Sequence, residues 1–268
     1  MSKGLKLLDQ LVAAGKESVS PAWIVAETGM SPQAAFNMLK RLCRQGLLDR
    51  VGQGHYAIRQ LGVLGTAASS EGQALAVGAL FDGRPHRIAF RSALDYWDVL
   101  SHPWNTVQVA SPLRLGHRTV SGRPLQQIRE STETVGIGAI PVHGGAWVSN
   151  LERAILECAA RPRLAGGIGP LGEALASGEN IDLERLQDHV RDLDAAPAAR
   201  RIGSVSAALG LEAIADAMEP FAAIGSGDID LVPSPDEPAL QEAVPYRDRT
   251  WHVRWALLPD ELANSVWQ

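Results

Sequence analysis

SPQAAFNMLKRLCR, residues 31–44, is the stretch whose reading decides the fold of this chain. Ser31-Pro32 is a helix start signal: serine caps the free backbone N–H groups, and proline at the first helical position loses no hydrogen bond there. Behind it Ala35, Met38, Leu39 and Leu42 recur at helical spacing and form one apolar face. Gln33, Asn37, Lys40, Arg41 and Arg44 lie mostly away from that face. Amides that can pair with base edges, followed by cations that can hold phosphates, are what a helix in a DNA major groove presents.

The flanking sequence supplies the rest of a helix-turn-helix. Leu5, Leu8, Leu11 and Val12 predict a helix over 4–14, stopped at Gly15. Ser20-Pro21 starts a second helix through Trp23-Ile24-Val25-Ala26, which ends at Thr28-Gly29, where glycine can take the left-handed turn conformation. Two helices about a tight glycine turn are the helix-turn-helix signature. After Gly46, residues 47–51 (LLDRV), a glycine turn at 52–54 (GQG) and residues 55–58 (HYAI) predict a β-hairpin wing. Alternation turns Tyr56 and Ile58 inward and leaves Arg50, Gln53 and His55 for a DNA backbone. The expected DNA-binding set is therefore Ser31, Gln33, Asn37, Lys40, Arg41, Arg44, Arg50, Gln53 and His55. A winged helix used only for protein contacts is the alternative. Cys43 is expected at the core or its edge.

Charge divides the chain in the same place. Residues 1–60 carry eight Lys/Arg against four acids, a net +4, and all four lysines lie within the first forty residues. The remaining 17 Arg and 26 acids leave that part at −9. A basic end on an acidic body suits a chain of which one end meets a polyanion. The 268 residues, 46% of them apolar, have room for a small domain and a larger one, and the composition is that of a globular protein. No apolar run reaches the roughly 18 to 20 residues that span a bilayer. The start lacks the apolar core of a secretory signal, and the two cysteines form no metal or disulfide pattern. The expectation is a cytoplasmic protein without membrane association.

The expected organisation is α+β: an N-terminal winged helix-turn-helix domain over 1–60, a linker at 61–68, and a larger mixed α/β C-terminal domain over 69–268. In that body, helices are expected at 70–81, 88–99, 150–161, 170–177, 182–193, 197–209 and 211–219. Strands are expected at 106–110, 117–120, 134–141, 145–148, 228–232 and 250–257, in mixed or antiparallel pairing because no βαβαβ rhythm is present. No internal repeat or low-complexity tract interrupts it.

Catalytic patterns fail one by one. Gly167-Ile168-Gly169-Pro170-Leu171-Gly172 matches G-x-G-x-x-G but follows a helix and contains proline, so it reads as a loop entering a helix. His143-Gly144-Gly145 resembles an oxyanion loop, yet no G-x-S-x-G accompanies it, and a turn between two strands is the better account. The seven histidines show no zinc spacing. Asp228 and Asp230 alternate on one strand face, which suits a solvated surface better than a metal site. No enzyme activity, cofactor or metal is expected.

Residues 99–129 hold no acid and carry Arg114, Arg118, Arg123 and Arg129 with His102 and His117. Either they form a patch for phosphate groups or a partner, or they pair with acids distant in sequence. Trp104, Trp147, Trp251 and Trp255 are expected as core anchors.

The winged helix closing in GHYAI, then IAFRSALDYWDVL followed by TVQVAS, resembles the AbiEi family of transcriptional-regulator antitoxins. VSNLERAILECAARPRLAGG and AARRIGSVSAALGL are similar to that family's C-terminal domain. The order of these segments carries the resemblance, to about residue 215, and WHVRWALLPDEL is compatible with it. The resemblance implies a repressor that binds operator repeats of its own operon. It also implies an antitoxin that counteracts a nucleotidyltransferase-like toxin of a phage-defence (abortive-infection) module, in much of the family without a stable complex. A different outcome is a protein-interaction module that neutralises the toxin by direct binding, its winged helix not used for DNA.

Overall fold

The computed structural model describes residues 3–14, 18–52, 54–58, 70–102, 104–177, 181–225, 227–231 and 245–267. The linker expected at 61–68 and Gln53 lie outside them. The fold is a winged helix-turn-helix followed by a mixed α/β region. Its residues gather into two compact units: 1–88 with 105–135 and 140–148, and 89–104 with 136–139 and 149–268.

The first unit begins with α1 (Lys3–Ala13), the short strand β1 (Ser18–Val19), α2 (Pro21–Thr28) and α3 (Pro32–Arg44). The hairpin β2 (Leu48–Gly52) and β3 (His55–Ile58) follows. Both start signals act as read: Ser20 Oγ accepts from Trp23 N at 3.2 Å, and Ser31 Oγ accepts from Ala34 N at 3.3 Å. Gly29 ends α2 at φ 67°, in the left-handed region. The core consists of Leu7, Leu8, Leu11, Val19, Ile24, Ala35, Met38, Leu39, Leu42, Leu48 and Tyr56. All four expected core residues of α3 are thus buried. On α1, however, Val12 is 65% exposed and Leu7 is buried instead. β1 pairs antiparallel with β3, and β3 with β2, in a sheet of order β1-β3-β2 with a register irregularity between Arg50 and Gly52. Ile58 is only partly buried at the edge of this core.

The same unit continues with α4 (Ser70–Phe81) and β4 (Arg87–Ile88). β4 belongs to a six-stranded sheet with β5 (Val107–Ser111), β6 (Thr119–Val120), β7 (Arg123–Arg129), β8 (Ala139–Pro141) and β9 (Trp147–Ser149), in the order β6-β7-β5-β4-β9-β8. Pairing is mixed: β5/β7 and β4/β9 run parallel, β4/β5 and β6/β7 antiparallel. Two corrections follow. Residues 134–138 form turns, so the strand expected from 134 begins only at Ala139, and Gly138 at φ 66° suits a turn. Trp147 is 42% exposed and anchors no core. His143–Gly145 is a single 3-10 turn between β8 and β9, as the sequence reading has it. α4 crosses this turn so closely that a Cβ on Gly78 would overlap the carbonyl oxygen of Gly144. Arg87, fully buried on β4, donates to Val135 O at 2.8 Å and to Glu130 Oε2 at 2.7 Å.

The second unit contains α5 (Phe90–Tyr96), α6 (Leu151–Ala160), α7 (Pro162–Ala165), α8 (Gly169–Ala176), α9 (Leu183–Asp192), α10 (Ala196–Ala208) and α11 (Glu212–Met218). It closes with β10 (Ile229–Leu231), β11 (Tyr246–Asp248), β12 (Val253–Trp255) and α12 (Pro259–Val266). The expected helix at 88–99 is therefore a two-residue strand followed by the shorter α5, and the strand expected at 250–257 contracts to β12. α6 is buried along nearly its whole length, and Glu157 on it accepts from Phe90 N at 2.9 Å and Arg153 Nε at 3.1 Å. Arg200 on α10 donates to the carbonyls of Trp251, Gly227 and His252, tying the β12 turn to the helix. Trp251 and Trp255 are buried as expected, while Trp104 is only partly so. The G-x-G-x-x-G match is the entry to α8, as read, and Gly172 packs under Val266.

Candidate nucleic-acid interface

Burial fixes which side of α3 is free. With Ala35, Met38, Leu39 and Leu42 in the core, Gln33, Phe36, Asn37, Lys40, Arg41 and Arg44 are exposed. The outward stripe holds three cations and no acid along all thirteen residues of the helix. Its N-terminal half carries the amides. Gln33 Nε2 donates to Asn37 Oδ1 at 3.2 Å, so the two side chains lie along one face, one turn apart. Arg41 and Arg44 occupy the last turn, where positive charge also complements the helix dipole. Ser31, expected as a contact, is committed to its cap but is exposed at the helix start.

The wing adds Arg50, exposed on β2 opposite Tyr56, and His55, partly buried at the start of β3. Burial pushes the His55 pKa down; the nearby Asp82 opposes that shift and Arg84 reinforces it. Tyr56 is driven up, chiefly by its burial in the core. Nothing can be placed for Gln53. Cys43 packs at the edge of the core, as expected.

The arginine-rich stretch falls on one hairpin and its approach loop. Gln127 on β7 holds that loop at both ends of a short turn: its amide donates to Leu113 O and its carbonyl accepts from Leu115 N. The loop carries Arg114, His117 and Arg118, with Arg118 Nη1 donating to His117 O at 3.0 Å. Arg123 and Arg129 open and close β7. Glu130, the next acid, is occupied by buried Arg87. Among the described residues Arg114, Arg118 and Arg129 form no ion pair. β2 of the wing packs against β6, the neighbour of β7, so this hairpin adjoins the wing within one unit.

The carboxylates at Asp228 and Asp230 are not simply solvated. Asp228 pairs with Arg247, and Asp230 with Arg254 at 2.5 Å. Among the described residues no group of His, Cys, Asp and Glu side chains could hold a metal ion, and no helix is long and apolar enough to cross a membrane. The remaining unusual polar groups are structural in setting. Burial raises the Cys158 thiol well above its ordinary value. His86 is buried and stacked on Phe81 with ring centroids 4.4 Å apart.

Sequence reasoning missed Phe36, 42% exposed on the outward side of α3. The signal was present: an apolar residue outside the core register of an otherwise amphipathic helix.

Comparison with known proteins agrees with this geometry. Residues 6–55 match the MarR family, which spans α1 to the start of β3. The whole fold is similar to the crystal structure of the RV2827C protein from Mycobacterium tuberculosis, with a TM-score of 0.62 and 15% sequence identity over 98% of this chain and 94% of that one. A search of the curated proteins finds no match. The N-terminal region is a winged-helix DNA-binding domain.

Proposed function

We propose that this protein is a transcriptional repressor that binds the operator of its own operon and acts as the antitoxin of a toxin–antitoxin, phage-defence module. One observation carries the DNA half: the outward face of α3 presents an amide pair, Gln33 and Asn37, followed by Lys40, Arg41 and Arg44 with no acid among them. Inserted in a major groove, the amides read base edges and the cations hold phosphates on either side. Arg50 and His55 of the wing, with Gln53 between them in sequence, contact the adjacent backbone. Arg114, Arg118, Arg123 and Arg129 extend the phosphate contacts from the hairpin beside the wing.

The antitoxin half rests on the order of segments that resemble AbiEi antitoxins, from GHYAI to AARRIGSVSAALGL. The partner is a nucleotidyltransferase-like toxin encoded in the same operon and counteracted without a stable complex. The protein works in the cytoplasm, without cofactor and without catalysis of its own. Co-expression tests this half. The chain should restore growth to cells making the neighbouring nucleotidyltransferase-like protein, and a variant lacking the α3 cations should still do so. Failure of the intact chain to restore growth contradicts the antitoxin assignment.

A further inference from the structure

Phe36 stands on α3 where folding does not need it. It is 42% exposed, while Ala35, Met38, Leu39 and Leu42 fill the core side of the same helix. At 3.6 residues per turn Phe36 lies roughly 60° from Gln33 and roughly 40° from Lys40 around the axis, on the outward half of the cylinder. It is the single large apolar side chain among the exposed positions of α3; its exposed neighbours are Gln33, Asn37 and Lys40. A phenyl ring left partly in water at the edge of a polar and basic stripe, beside Gln33 and Lys40, forfeits burial it would gain in the core. An apolar group in the contact surface itself recovers that loss.

The major groove offers one apolar feature at base edges, the 5-methyl group of thymine. We infer that Phe36 is a specificity-determining residue that packs against a thymine 5-methyl, beside bases read by Gln33 and Asn37. The inference rests on the reading that α3 enters the major groove, and it adds a chemistry that amides and cations do not supply. Hydrogen-bonding side chains distinguish bases by donors and acceptors, and they do not register loss of a methyl. Phe36 does.

The experiment uses the full chain. A preferred duplex is first selected from a random pool by the wild-type protein. Each thymine of that duplex is then replaced in turn by deoxyuridine, which removes the methyl and keeps every hydrogen-bonding group. At one or more positions wild-type affinity should fall about fourfold, the scale of one buried methyl. Phe36→Ala should bind the thymine and uracil duplexes equally, and Phe36→Leu should retain part of the preference. Because the ring is 42% exposed, Phe36→Ala should lower the unfolding midpoint far less than truncation of the fully buried Leu39. A selected duplex insensitive to every deoxyuridine substitution overturns the inference and leaves the groove reading intact. So does a thymine preference that survives in Phe36→Ala. Loss of self-association in Phe36→Ala with unchanged uracil discrimination overturns it in favour of a contact between copies. If selection yields no duplex preferred over random DNA, the groove reading falls, and this inference with it.

Discussion

The side-chain amide of Gln33 donates to the side-chain oxygen of Asn37 at 3.2 Å, one turn further along the exposed face of α3. The bond leaves one amide N–H and the carbonyl oxygen of Gln33, with both amide N–H groups of Asn37, available for base edges. Two amides held this way present a donor–acceptor set with less rotamer entropy to lose on binding than two free side chains. Asn37→Ala and Gln33→Ala should each relax base preference by about 1–3 kcal/mol at the positions they read. Since each orients the other, the double variant should lose less than the sum. Titrations against the preferred duplex and single-base mismatches measure both.

Lys40 should behave differently. As a phosphate contact it carries no sequence information, so Lys40→Ala should weaken all duplexes alike and lower the slope of log affinity against log salt by about one. Arg114→Ala and Arg118→Ala test the hairpin beside the wing by the same slope. A slope unchanged in both removes that hairpin from the DNA footprint, and the roles of α3 are unaffected.

Two substitutions probe the fold that presents this face. Leu39 is fully buried on the core side of α3, so Leu39→Ala should cost about 2–5 kcal/mol through lost burial and a residual cavity. Gly78→Ala should also be strongly destabilising, because its Cβ would collide with the Gly144 backbone rather than with a movable side chain. Chemical denaturation of each variant measures both. Ser31→Ala, which removes a cap from an otherwise intact helix, should cost only about 1 kcal/mol.

Acid should destabilise the protein through its histidines. Burial is the largest cause of lowered pKa values at His55, His86 and His189, each below the ordinary 6.5. Between the folded and unfolded values the unfolded chain binds more protons. Stability from these groups is therefore fully present above 6.5 and is lost as pH falls below it toward the folded values. Unfolding midpoints measured from pH 8 to 5 should decline over that window. His86→Phe, which keeps the stacking partner for Phe81 and removes a titrating ring, should flatten the decline.

The winged helix was legible because its signals are local. A cap, a proline and a left-handed glycine act within four residues, and so Ser20, Gly29 and Ser31 could be read without knowing any tertiary contact. The core register of α3 followed from spacing alone. β7 was not legible: RPLQQIR has no apolar alternation, and it is a strand because β5 offers a parallel edge from Val107 to Ser111. The register of that pairing is set by residues distant in sequence. α12 was missed although Glu261 signals its start by accepting from Leu258 N at 2.8 Å. Trp147 shows the limit from the other side, since aromatic type alone does not say which face of a three-residue strand is covered. For the candidate site, sequence gave the polar set on α3, while Phe36 emerged once burial showed it outside the core.

The central claim is that α3 reads a specific duplex. A gel-shift titration of the full chain on DNA from upstream of its own operon, against random DNA of equal length and at fixed salt, tests it most directly. The account predicts preference for the upstream duplex by a factor of about a thousand or more, reduced by about tenfold or more in the Gln33→Ala/Asn37→Ala double variant. Equal affinity for the two duplexes would contradict it.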